Sequence, residues 1–179
     1  MLPFTDPLAQ QVYKELLKKI NIKESAEYPE NPTYYFAYGM LTDPEKMGGL
    51  DLVGVAELRN FKYEMYQFAN VEPESGSTVY GCLWEVDREM LSSLDRVEGY
   101  PELYDRRTYP VYIDNEKFVA EVYVMTPSTL RYVQGTFPTQ EYISSVARGY
   151  LHAGIPTDQL KTALIDAKGR KDEQQYRRY

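Results

Sequence analysis

Residues Val79–Gly99 read VYGCLWEVDREMLSSLDRVEG, and the hydrophobic period changes in the middle of this stretch. Thr78 to Val86 is apolar and rich in strand formers, with Gly81 inside it; a glycine within a strand marks a bend or the close approach of another backbone. Asp87 is a helix N-cap, and Met90, Leu91 and Leu94 follow at the spacing that turns one helical face to a core. Glu98-Gly99-Tyr100-Pro101 then stops the helix with both a glycine and a proline. A strand that runs straight into a short capped helix, in a chain whose other strands follow one another by short links, predicts an α+β fold.

Towards the N-terminus, Thr33 to Tyr38, Leu52 to Leu58 and Phe61 to Phe68 read as strands. The last two are joined tightly at Arg59-Asn60, and Phe61, Tyr63 and Met65 alternate with Lys62 and Glu64 so that one face is buried. Glu72 to Ser77 (EPESGS) reads as an acidic turn. Towards the C-terminus, Arg106 to Ile113 and Lys117 to Met125 form a hairpin around Asp114-Asn115-Glu116, with Pro110 drawing its strand to an edge or a bulge. Two helices follow, Thr139 to Leu151 and one capped by Thr157 with Leu160 and Leu164 inward. Short links between successive strands make the sheet mostly antiparallel; whether it closes is not written in these patterns.

The ends read differently. Asp6-Pro7 starts an amphipathic helix to Lys23, and Tyr28 to Pro32 is a linker, so residues 1–32 form an N-terminal helix and linker ahead of a domain over 33–167. Residues 168–179 are expected to be a charged, loosely ordered tail.

A net charge of −7 argues against nucleic acid as the main partner and, less strongly, against an anionic membrane surface. One cysteine, Cys82, rules out a disulfide within the chain and points to a reducing, cytoplasmic compartment. One histidine, His152, cannot form a histidine zinc cluster, and its place late in a helix suits a contact with the helix dipole. No dinucleotide fingerprint, phosphate loop or nucleophile elbow is present, and no metal site is expected. The 18 tyrosines are read mainly as strand surface, with a hydroxyl-lined pocket as the competing use.

Two features carry chemistry. Glu98 lies where a helix gives way to a turn beside apolar neighbours, and a desolvated carboxylate is a proton carrier near neutrality. The competing reading, a solvated helix-end acid paired with Arg96 or Arg106, is favoured for the residue taken singly. Tyr38-Gly39-Met40-Leu41 ends a strand in a glycine, which serves either an anion nest of backbone amides or a left-handed backbone. Arg106-Arg107 is a weaker candidate for holding a carboxylate, since adjacent strand residues face opposite ways.

Four blocks resemble the γ-glutamylcyclotransferase family, including its AIG2-like members and the butirosin-pathway cyclotransferase. They are YFAYG at 35–39, LVGVAELRNFK at 52–62, VYGCLWEVDREMLSSLDRVEG at 79–99, and PTQEYISSVARGYLHAGIP at 138–156. The resemblance implies a mixed, mostly antiparallel sheet closing into a small barrel with flanking helices. It also implies a cofactor-independent, cyclising lyase acting on a small γ-glutamyl substrate. The α-amine of the glutamyl group attacks its own γ-carbonyl, and 5-oxoproline and a free amine or amino acid are released. Glu98 would carry the proton, Tyr35, Phe36, Ala37, Tyr38, Gly39 and Met40 would bind the substrate largely through main-chain groups, and Tyr142 would contact the glutamyl moiety. Met40 departs from the serine or threonine frequent at that position, and the N-terminal helix has no obvious counterpart. That helix either packs on its own domain, the preferred reading, or supports a homodimer. A non-catalytic γ-glutamyl-binding domain of the same fold is the alternative function.

Overall fold

The computed structural model describes residues 33–176; the expected N-terminal helix and linker lie outside the described residues. Five strands form a closed barrel: β1 (Thr33–Ala37), β2 (Leu52–Met65), β3 (Ala69–Val86), β4 (Tyr104–Ile113) and β5 (Glu116–Met125), in the order β1-β3-β2-β4-β5. Four of the pairings are antiparallel, as short links require. Closure comes from the one parallel pair, where Tyr34 and Tyr35 of β1 meet Ala120 and Glu121 of β5. That join connects residues about half the chain apart, so no local pattern announces it. The helices are α1 (Arg88–Glu98), α2 (Pro127–Val133), α3 (Gln140–Ala153) and α4 (Asp158–Tyr176). Among the described residues, no helix is long and apolar enough to cross a membrane.

Arg59-Asn60 is not a turn between two strands but a bulge within β2. Asn60 adopts φ 63°, and its Oδ1 accepts the Gly76 amide at 3.1 Å. Across it the ladder jumps from Arg59↔Thr78 to Phe61↔Pro73, so the residues expected as a separate acidic turn are the opposite half of one large irregularity inside β3. The hairpin reverses instead at Tyr66 to Phe68, where the Tyr66 amide donates to the Phe68 carbonyl. Asp114 and Asn115 both have positive φ (48° and 68°), the geometry of a two-residue hairpin turn whose twist matches the strands. Pro110 pairs with Val119 on the β5 side, and the β4–β2 seam is reduced to Glu57↔Tyr112.

The core includes Phe36, Leu58, Met65, Val71, Val79, Leu83, Trp84, Val111 and Val122. Gly81 lets β1 and β3 come together: a Cβ there would lie 2.3 Å from the Ala37 carbonyl oxygen and 2.7 Å from the Phe36 ring.

The tail expected from Lys168 departs from its reading, because α4 continues as a helix to Tyr176. Leu160, Ala163 and Ala167 bury one side of it. Arg170 holds the next turn: Nη1 lies 2.9 Å from the buried Glu64 carboxylate, Nη2 donates to the Met65 carbonyl at 2.7 Å, and the guanidinium stacks over Tyr66. The partner that orders this polar segment lies on β2, roughly a hundred residues away, so composition alone could not reveal it. Arg170→Ala leaves Glu64 buried with Lys62 as its remaining ionic partner. It is expected to cost about 2–4 kcal/mol, read as a lowered denaturation midpoint.

Candidate active site

Glu98 ends α1. The helix stops because Gly99 takes a left-handed conformation (φ 64°) and the Gly99 and Tyr100 amides turn back to the Arg96 and Asp95 carbonyls. At the other end, the Asp87 side chain accepts the Met90 amide at 2.7 Å, as the cap pattern predicts. Glu98 as a residue keeps some solvent contact, yet its carboxyl is strongly desolvated. Burial raises its pKa from 4.5 to about 7, against a hydrogen bond from the Tyr35 hydroxyl that pulls it down. The solvated, arginine-paired alternative fails for Arg106: its guanidinium grips Asp95 at 2.8 and 3.0 Å and approaches Glu121 at 3.6 Å. Arg107 pairs with Asp105 on the exposed side, so neither arginine of that pair faces Glu98.

Five tyrosines from four elements lie close enough to feel the Glu98 charge, and Tyr35 hydrogen-bonds to it. They are Tyr35 in β1 and Tyr38 just beyond it, Tyr104 in β4, Tyr123 in β5 and Tyr142 in α3. Burial first, and the Glu98 charge in addition, push each hydroxyl above its ordinary pKa, so all five stay protonated at neutral pH. Most are aimed by the backbone or a fixed acid. Tyr38 donates to the Tyr123 carbonyl, Tyr104 to the Ala69 carbonyl at 2.7 Å, and Tyr123 to the Arg106-held Asp95 at 2.7 Å. The Tyr142 oxygen accepts the Ala69 amide at 3.1 Å. These five tyrosines are therefore not strand surface: Tyr35, Tyr38, Tyr104 and Tyr123 are buried, and Tyr142 packs half-buried against the core. Tyr104 and Tyr123 escape sequence reasoning because strand tyrosines all look alike until the barrel closes.

The glycine turn sits against this cluster. Gly39 has φ −108°, so it is not there for a left-handed backbone; a Cβ on it would lie 3.2 Å from the Tyr142 oxygen. Its use is close approach. The following 3-10 turn, Met40–Thr42, has its carbonyls tied down: Gly39 O receives the Thr42 amide and hydroxyl, Leu41 O the Trp84 indole at 3.1 Å, and Thr42 O the Cys82 thiol at 3.4 Å. No side chain caps the start of the turn. Of the remaining expected residues, Phe36 and Ala37 direct their side chains into the core, and Met40 packs half-buried against it. Tyr35, Tyr38, Gly39, Glu98 and Tyr142 are brought together.

For a metal, Asp43, Glu45 and His152 offer ligand atoms within 4.8 Å of one another. Asp43 already holds Arg148 at 2.9 Å, and that positive charge opposes a cation. His152 does more than face a helix dipole, since its Nδ1 lies 3.2 Å from the Asp43 carboxylate.

Residues 35–143 match the family model described as gamma-glutamyl cyclotransferase, AIG2-like. The chain belongs to this family. The matched segment covers more than half of the chain and contains every residue named above for the turn, together with Glu98 and Tyr142. Among relatives of this AIG2-like member is the Drosophila melanogaster protein CG2811, a gamma-glutamylcyclotransferase by its provisional name. It is 36% identical over 52 residues, 29% of this chain and 33% of the relative, so the similarity spans about a third of that protein. Solved structures share the fold. A human protein described as uncharacterized protein loc79017 matches with a TM-score of 0.65 and 23% identity, over 74% of this chain and 86% of its own. A structure named gamma-glutamyl cyclotransferase matches with a TM-score of 0.61 and 22% identity, over 73% and 86%. The closed barrel with flanking helices is therefore the fold of this family, as the resemblance implied.

Proposed function

We propose that this family member is an active γ-glutamyl cyclotransferase that converts a small γ-glutamyl compound into 5-oxoproline and a free amine or amino acid. The observation that carries the reading is the desolvated Glu98 carboxyl, with its pKa near 7, among five protonated tyrosines. The α-amine of a γ-glutamyl group lies beside its own free carboxylate and is more basic than a peptide N-terminus of about 7.7–8.0, so raising the Glu98 carboxyl to about 7 narrows the gap for proton transfer from the attacking nitrogen.

In this mechanism the α-amine attacks the γ-carbonyl carbon in its neutral form, and the ionised Glu98 takes the one proton that its nitrogen sheds as the new bond forms. A C–N bond forms within the substrate, and the carbonyl oxygen becomes an oxyanion. In this reading the amides at the uncapped start of the Met40–Thr42 turn and the O–H of Tyr142 donate to the negative oxygen. The intermediate collapses, the original amide C–N bond breaks, and the protonated Glu98 returns its proton to the leaving nitrogen. Tyr35 keeps the carboxyl oriented through both transfers. The substrate brings its own nucleophile, so the protein's main task is to hold the bent conformer, an orientation effect of up to about 7–11 kcal/mol. Cys82, whose thiol is buried and raised to about 12, is a packing residue rather than a nucleophile; the cytoplasmic reading rests on there being no second cysteine to pair with it.

The test is 5-oxoproline release from a panel of γ-glutamyl amino acids, γ-glutamyl amines and γ-glutamyl peptides. Release from at least one class is expected. Binding across the panel without release would support a non-catalytic γ-glutamyl-binding domain, and neither binding nor release would remove both readings.

A further inference from the structure

The polar groups that sequence and mechanism leave unused converge on one seam. Asp43 follows the glycine turn directly and is fully buried. Its carboxylate receives Arg148 Nε at 2.9 Å, the His152 ring at 3.2 Å and the Glu45 amide at 3.2 Å. Burial works against the charged form, but the His152 and Arg148 hydrogen bonds outweigh it and hold the carboxyl below its ordinary range. One turn further, the buried Lys46 donates to the Ser145 hydroxyl.

The α3 partners, Ser145, Arg148 and His152, recur at helical spacing and so share one face. Gly149 lies on the same face and lets the chain close on it: a Cβ there would sit 2.4 Å from the Thr42 hydroxyl and 2.8 Å from the Asp43 amide nitrogen. One turn before Ser145, the same helix presents Tyr142, whose oxygen accepts the Ala69 amide and lies 3.2 Å from where a Cβ on Gly39 would stand.

We infer that this ionic seam is a positioning device: Asp43, Arg148 and His152, around Gly149, clamp the glycine turn to α3 so that turn and Tyr142 meet the glutamyl group at a fixed separation. The inference rests on the cyclotransferase reading for its functional half. A buried carboxylate tied to two side chains of a helix resists sliding of turn against helix, which apolar packing alone permits. Precise spacing is what an intramolecular attack requires, because sub-ångström displacement of the held group lowers the population of the reactive conformer.

The experiment uses the full chain and three variants, Gly149→Ala, Arg148→Lys and Arg148→Ala. Amide hydrogen exchange over residues 39–47 is read without ligand, and KM and kcat are read for a substrate found in the panel. Gly149→Ala forces the turn outward while improving helix propensity, so loss of helix stability cannot explain its effect. It is expected to speed exchange of the turn at least tenfold and to lower kcat per folded molecule about tenfold, with KM within about threefold of wild type. Arg148→Lys keeps the charge and should fall between wild type and Arg148→Ala in both measures. Unchanged exchange in Gly149→Ala overturns the seam, as does faster exchange with an unchanged kcat. A wild-type protein that turns over no substrate sinks the cyclotransferase reading alone, because the exchange measurement needs no ligand and still decides whether the clamp exists.

Discussion

Glu98→Gln is expected to lower 5-oxoproline release by about 10²–10⁴-fold while making the protein more stable above pH 7. The two effects have one cause. The folded state holds the Glu98 carboxyl at a pKa of about 7, well above the 4.5 of an unburied glutamate. Between these values the folded protein binds the proton and the unfolded chain does not, so stability from this group is fully present below about pH 4.5. It is lost as pH rises through 7. Above that pH an ionised carboxylate is kept in a desolvated site at a cost of about 1–3 kcal/mol. Glutamine keeps the shape without the charge. Its thermal midpoint should exceed that of wild type at pH 8, and the difference should shrink towards pH 5. A carboxylate that serves only as a structural partner would behave oppositely, with the glutamine variant less stable at pH 8.

Gly81→Ala is expected to be the most damaging single methyl group added to the barrel. The added Cβ would fall 2.3 Å from the Ala37 carbonyl oxygen and within 3 Å of two Phe36 ring carbons, both on β1. Neither neighbour is a flexible side-chain end: one is backbone paired with β3, the other a fully buried ring. Relief requires β1 to move from β3, at a cost of about 2–4 kcal/mol. The same movement carries Tyr38 and Gly39, which follow β1 directly, so folded molecules should also turn over more slowly. Urea denaturation checks the first effect, and turnover per folded molecule the second. An unchanged midpoint would show that β1 is not pinned at this crossing.

The parts of the fold that are local in origin were readable from local chemistry. Asp87 and Gly99 bound α1 where an N-cap and a left-handed stop should, and Asp114-Asn115 turn the β4–β5 hairpin. What the sequence hid depends on partners distant in the chain. Asn60 looks like a turn residue because its backbone is left-handed, but its side chain is spent on Gly76 across the ladder, and the strand continues. The acidic stretch from Glu72 looks like a turn for its glycine and proline, yet it is the matching half of that bulge. The C-terminal segment looks unanchored until Arg170 finds Glu64.

The site follows the same rule. Gly39 and Glu98 stood out through their places at element ends, and the family resemblance joined them. Tyr104 and Tyr123 did not stand out, because they join the Glu98 cluster only after β1 and β5 pair in parallel and close the barrel. His152 was visible as the one histidine, but its partner Asp43 lies 109 residues earlier.

The central claim is that a carboxyl tuned near neutrality moves the proton. It is tested most directly by the pH dependence of kcat/KM for 5-oxoproline release by the wild-type protein, measured on a substrate whose α-amine pKa is known. The free enzyme should show an ascending limb with an apparent pKa of about 7 that is absent from the residual activity of Glu98→Gln. A limb that stays flat from pH 5.5 to 8, or one that persists unchanged in the glutamine variant, would contradict it.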